Sequence, residues 1–123
     1  MAIITLTTDM GTRDHYVSAV KGAIYSQLEN AQIVDISHDL TRFDIAQCAY
    51  IIKNSFQEFP KGSVHIIGVD PEASVNRAHL IVECMGHFFI GADNGIFSIL
   101  FDKIPENIFE LNISQDSDDL TFP

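Results

Sequence analysis

Three carboxylates stand where chemistry could be done. Asp9, Asp39 and Asp70 fall at or just after the ends of three apolar runs, 3–8, 32–36 and 64–69. An ionised aspartate accepts hydrogen bonds without donating any. Asp9 can therefore take two hydroxyls of a ribose, hold a metal ion, or simply cap its own turn. That turn reads Asp9-Met10-Gly11-Thr12, and Gly11 permits a positive φ or a close backbone approach. Arg77 follows Asp70 by seven residues, and Asp93-Asn94-Gly95 makes a further polar turn. Open α/β sheets bind ligands at the carboxyl ends of their strands, which is where these residues would converge. Polar strand-to-loop boundaries produce the same pattern by default.

The elements that must position them are legible in the hydrophobic pattern. Ile3, Ile4 and Leu6, with β-branched Thr5, Thr7 and Thr8, suit a buried strand ending on Asp9. The spacing of Tyr16, Val20, Ala23, Ile24 and Leu28 predicts a helix over 14–28, with Asp14 as N-cap and Lys21 and Gln27 facing water. A short strand follows over 32–36, then a polar loop over 37–41. Ile45, Cys48, Ile52, Phe56 and Phe59 predict a second helix over 43–59, stopped by Pro60-Lys61-Gly62. The run 64–69 is apolar apart from His65, as in a strand buried on both faces of a parallel sheet. Runs 78–85 and 87–92 flank Gly86 too closely for a parallel crossover and predict an antiparallel hairpin. A short helix over 96–101 and a strand over 108–111 complete the order. This predicts one domain, a three-layer α/β/α sandwich with a mostly parallel sheet.

Composition narrows the function classes. The chain has 123 residues and a net charge of −10, which repels phosphate backbones and argues against nucleic acid, though not against a cationic small molecule. Cys48 and Cys84 lack CxxC spacing and lie in apolar runs, as buried free thiols would. That usage, with no signal-like start and no apolar stretch near the roughly 18 residues that span a bilayer, predicts a cytoplasmic protein without membrane partners. No His/Cys/Asp/Glu set has metal-ligand spacing, so no metal is expected.

Four segments then point one way. They are Thr7-Thr8-Asp9-Met10-Gly11-Thr12 with Asp14 and Tyr16, Ile33-Val34-Asp35-Ile36-Ser37-His38-Asp39, Val69-Asp70-Pro71 with Arg77, and Asp93-Asn94-Gly95. In this order they resemble the S-adenosylmethionine hydroxide adenosyltransferases, relatives of the adenosyl fluorinase and chlorinase, over essentially the whole chain. The resemblance implies hydrolysis of S-adenosylmethionine to adenosine and L-methionine by water or hydroxide attacking ribose C5′, with no cofactor. It implies that Asp9 binds the ribose 2′- and 3′-hydroxyls. It places Phe43 against the ribose and nucleophile pocket, where the alternative is a core residue of the second helix. Asn94 would lie close to the substrate, or serve only its turn. Asp70 and Arg77 match two members of an Asp-Arg-His set that handles the water. Arg77 stays protonated and cannot be the base, but its donors can hold the nucleophile. The family also implies a homotrimer and a C-terminal β-rich domain, so residues 1–123 are expected to be the N-terminal domain of a longer protein.

The sequence departs from the pattern in two places. Thr121-Phe122 is followed by Pro123 where the family carries the histidine, and Pro71-Glu72-Ala73-Ser74 replaces a glycine-rich run. These departures keep open a non-catalytic domain that binds an adenosyl compound or oligomerises. An actin-like phosphotransferase is the remaining alternative, since Asp9-Met10-Gly11-Thr12 is also an Asp-x-Gly-Thr phosphate turn. In that fold the turn joins two antiparallel strands.

Overall fold

A computed structural model describes residues 2–69 and 78–111. In chain order it contains β1 (Ala2–Thr8), α1 (Tyr16–Gln27), β2 (Ala31–Ser37), α2 (Ile45–Lys53), a 3₁₀ turn (Phe56–Glu58), β3 (Val64–Gly68), β4 (His79–Cys84), β5 (His87–Ala92), α3 (Ile96–Leu100) and β6 (Asn107–Leu111). The strands form one six-stranded sheet in the order β2-β1-β3-β5-β4-β6. β1 pairs in parallel with β2 and with β3, and β3 with β5. β4 runs antiparallel between β5 and β6. The mostly parallel α/β sheet is therefore as expected. Because β2 is parallel to β1 and α1 lies between them, the actin-like turn between antiparallel strands is ruled out.

β1 lies inside the sheet between β2 and β3, and its β-branched run is buried on both faces: Ile4, Thr5, Leu6, Thr7 and Thr8 are all nearly inaccessible. Right-handed crossovers from β1 out to β2, and from β2 back past β1 to β3, place α1 and α2 on opposite faces. On the α2 face, Cys48, Ala49, Ile52 and Phe56 pack with Ile96 and Leu100 of α3 over Ile67, Val82 and Phe89 of the sheet. Cys48 and Cys84 are free and buried here, as expected. β4 and β5 meet at Met85-Gly86, both at positive φ (53° and 81°), a turn whose twist matches the hairpin.

The helices differ from expectation at their ends. α1 begins at Tyr16, and His15, not Asp14, occupies the N-cap position, without a side-chain cap bond. α1 buries no residue fully. Tyr16, Tyr25 and Leu28 are about half exposed, and only Val17, Val20, Lys21 and Ile24 turn partly inward. α2 begins later than expected because Asp44 is a stronger start signal than periodicity. The Asp44 carboxylate accepts from the Gln47 N–H at 2.9 Å. Phe43 therefore lies outside the helix, and after Asn54 the chain tightens into the 3₁₀ turn before Phe59.

Candidate functional site

The carboxyl ends of β1 and β2 are laced together by hydrogen bonds. A register shift between Leu6 and Thr7 sets Ser37, not Ile36, beside Thr7, so that His38 comes next to Thr8. Thr8 Oγ1 and His38 Nδ1 are 2.7 Å apart, and the Met10 N–H donates to the same hydroxyl at 3.2 Å. On its far side His38 Nε2 lies 2.7 Å from Asp35 Oδ1, and Lys21 Nζ donates to Asp35 Oδ2 at 2.6 Å. Burial works to raise the Asp35 pKa, but the bonds from His38 and Lys21 outweigh it and hold the carboxyl below its ordinary range. Gly11, at φ 79°, donates its N–H to the His38 carbonyl at 2.7 Å. Lys21, Asp35 and His38 also line an open depression of about 360 Å³, together with Thr12 and Asp14.

Asp9 stands inside this frame. Its Oδ2 accepts from the Phe43 N–H at 2.8 Å, across 34 residues, and among the described residues no donor reaches Oδ1. The carboxylate is therefore not consumed by its own turn, as a capping role would require. It is held at one oxygen and, among the described residues, open at the other. Phe43 makes that bond from a left-handed backbone, φ 66°, which a bulky L-residue adopts only under constraint. The residue is 51% exposed, with the Arg42 guanidinium carbon 5.1 Å from the ring centroid. Phe43 is not a core residue of α2. Strain and exposure together mark a side chain presented for contact.

The other expected site residues fare differently. Asn94 lies in the turn between β5 and α3. Its Nδ2 donates to the Val69 carbonyl at 2.7 Å, and its Oδ1 accepts from the Ile96 N–H at 3.1 Å. Its amide thus braces the end of β3 and starts α3, which is the turn role. Asp39 is exposed, its own N–H bonded to Ser37 Oγ at 3.2 Å. Asp70, Arg77 and Pro123 lie outside the described residues. Val69, which precedes Asp70, is buried one residue beyond the Gly68 that pairs with Thr8. Sequence reasoning assigned no role to Lys21, Asp35 or His38. The available signal was an acid and a histidine three residues apart where a strand meets its loop. Cys48 is no nucleophile: burial, with the charges of Asp9 and Asp44 adding, pushes its thiol up to about 12.

A mostly parallel open sheet carries a tethered carboxylate and an exposed aromatic on its carboxyl edge, where open α/β sheets place their ligands. Residues 4–123 match the family model described as the SAM hydroxide adenosyltransferase N-terminal domain, and the chain belongs to that family. Among curated proteins it is 39% identical over 107 residues to the (R)-S-adenosyl-L-methionine hydrolase of Methanocaldococcus jannaschii, covering 83% of this chain and 40% of that one. It is 36% identical over 62 residues to a fluorinase of an Actinoplanes species, covering 50% of this chain and 21% of that one. Among solved structures, an uncharacterized conserved protein from Thermotoga maritima superposes with a TM-score of 0.81 at 25% identity, covering 88% of this chain and 42% of the other. A conserved hypothetical protein from Thermus thermophilus gives 0.81 at 27%, covering 92% and 48%. The chain thus spans about two fifths of the curated hydrolase it matches over most of its own length.

Proposed function

We propose that the full-length protein hydrolyses S-adenosylmethionine to adenosine and L-methionine. The observation that carries this reading is Asp9: a carboxylate anchored at one oxygen by the Phe43 N–H, with no donor to the other among the described residues, beside an exposed aromatic residue. Its relation to a protein named as a hydrolase of that substrate supports the same reading. Asp9 accepts the ribose 2′- and 3′-hydroxyls, and Phe43 packs against the sugar. Water or hydroxide, handled by Asp70 and Arg77, attacks C5′. The C5′–O bond forms as the C5′–S bond breaks, and the electron pair leaves with sulfur as neutral methionine. The extra proton of an attacking water is released to solvent. A sulfonium is already a good leaving group, so the protein supplies orientation and desolvation and needs no metal or cofactor. Asn94 acts through the turn it braces. The working protein is cytoplasmic and a homotrimer, with no nucleic-acid or membrane partner.

Purified full-length protein incubated with S-adenosylmethionine is expected to release adenosine and methionine in equal amounts. Arg77→Ala is expected to lower kcat while leaving substrate affinity nearly unchanged, because a residue that holds only the nucleophile acts after binding. Lost thermal stability with normal turnover per folded molecule would make the Asp70–Arg77 pair structural instead. Pro123, at the place of the family histidine, favours a second reading, an adenosyl-binding domain without turnover. Tight substrate binding with no adenosine released would select it.

A further inference from the structure

We infer that the His38 imidazole is a positioning residue for Asp9, setting the carboxylate for a vicinal diol through Thr8. The inference depends on the reading of Asp9 as the ribose anchor and deepens it. Thr8 is the residue that aims Asp9, and it is clamped from both sides. Its methyl faces Gly68, where an added Cβ would come within 3.1 Å of Thr8 Cγ2, so glycine there leaves room for the methyl. Its hydroxyl faces His38 Nδ1 at 2.7 Å. The proton order of the chain is then set by Asp35. An ionised carboxylate only accepts, so His38 Nε2 carries a proton and donates to it; in the neutral imidazole Nδ1 then accepts from the Thr8 hydroxyl. The Thr8 oxygen keeps its lone pairs for the Met10 N–H, which closes a side-chain turn around Asp9. Lys21 holds the other Asp35 oxygen and fixes this arrangement. Residues 8, 10 and 11 are thus each tied to His38, directly or through one hydroxyl, while the Asp9 side chain is tied to Phe43. His38 is only 5% exposed, and its two ring nitrogens face Thr8 and Asp35. Its contribution is the direction of its neighbour's carboxylate.

The test compares adenosine with 2′,3′-dideoxyadenosine, which lacks the diol, by calorimetric binding to the full-length protein. Wild type is expected to favour adenosine by roughly one to two decades, as bonds to a charged acceptor would give. In His38→Leu the preference is expected to collapse to within about threefold. His38→Gln offers an acceptor and a donor on one planar group and is expected to restore most of it. A merely structural loss lowers the folded fraction and weakens both ligands equally, so it leaves the ratio unmoved. Thr8→Val removes the same link with the imidazole in place and is expected to repeat the loss, which covers the case that His38→Leu does not fold. A preference at the wild-type value in folded His38→Leu, or in Thr8→Val, overturns the inference while the ribose reading stands. No preference in wild type overturns the ribose reading and this inference with it.

Discussion

At the scale of single residues, the account depends on Asp9 and Phe43. Asp9→Asn keeps the size of the side chain and its bond from Phe43 but removes the charge that accepts two hydroxyls. Substrate affinity is expected to fall by about one to two decades, with the folded structure intact, and calorimetry checks it. Phe43 separates backbone from side chain. Its left-handed conformation costs an L-residue on the order of 1 kcal/mol that glycine does not incur. Phe43→Gly is therefore expected to be more stable than Phe43→Ala by about 1 kcal/mol in urea titrations, while both lose substrate affinity relative to wild type. Equal stability of the two variants would contradict the strain, and undiminished affinity would contradict the contact. Asp9 was legible in the sequence because a strand end, an acid and a glycine are local signals. Phe43 was legible as a position but not as a conformation. Phe43 falls at the start of the run that reads as a helix over 43–59, and hydrophobic periodicity carries no information about φ. Its tie to Asp9 spans 34 residues and leaves no local trace.

At the scale of elements, β3 and β5 carry a buried pair that the mechanism does not use. His65 Nδ1 lies 2.7 Å from Thr5 Oγ1, and its Nε2 lies 3.1 Å from His87 Nδ1, among Phe56, Phe59 and Phe89. Two facing ring nitrogens can share only one proton. Burial, with the charge of His87 adding, pushes His65 down to about 4 from its ordinary 6.5, and burial with Lys61 lowers His87. The folded state thus binds fewer protons than the unfolded chain across this window, so stability is full above pH 6.5 and is lost toward pH 4. Each such proton changes stability by up to about 1.4 kcal/mol per pH unit. Urea unfolding at pH 7, 6 and 5 is expected to follow that slope, and His65→Gln to flatten it. Constant stability across the range would contradict the account. The sequence showed His65 as the one polar residue of an apolar strand, but not its partner on a strand 22 residues away. The apolar spacing puts Tyr16 and Leu28 on the stripe of α1 and Lys21 toward water; in the structure Tyr16 and Leu28 are about half exposed, while Lys21 turns partly inward to reach Asp35. The exposed Gly22 of α1, with nothing within 4 Å of an added Cβ, provides a simple check. Gly22→Ala is expected to raise stability by roughly 0.5–1 kcal/mol, and a loss would mean that α1 is packed more tightly than described.

At the scale of the whole molecule, the order of elements and the parallel sheet were readable because each segment's periodicity agreed with its turn chemistry. The apolar run of β3, broken only by His65, announced a strand covered on both faces, and the close spacing about Gly86 announced the hairpin. The site was less readable, since it is assembled from β1, the end of β2 and the loop before α2, which only the crossovers bring together. The proposed homotrimer predicts three times the chain mass for the full-length protein in light scattering, and a monomer there would count against it. The central claim is that water attacks ribose C5′ on a substrate held by Asp9. A single turnover of S-adenosylmethionine in ¹⁸O-labelled water, followed by mass spectrometry of the adenosine, tests it most directly. The account predicts one ¹⁸O per adenosine, at the 5′-hydroxyl, and a strongly reduced yield with Asp9→Asn at the same substrate concentration. Adenosine without the label, or bound substrate that returns no adenosine at all, would contradict it.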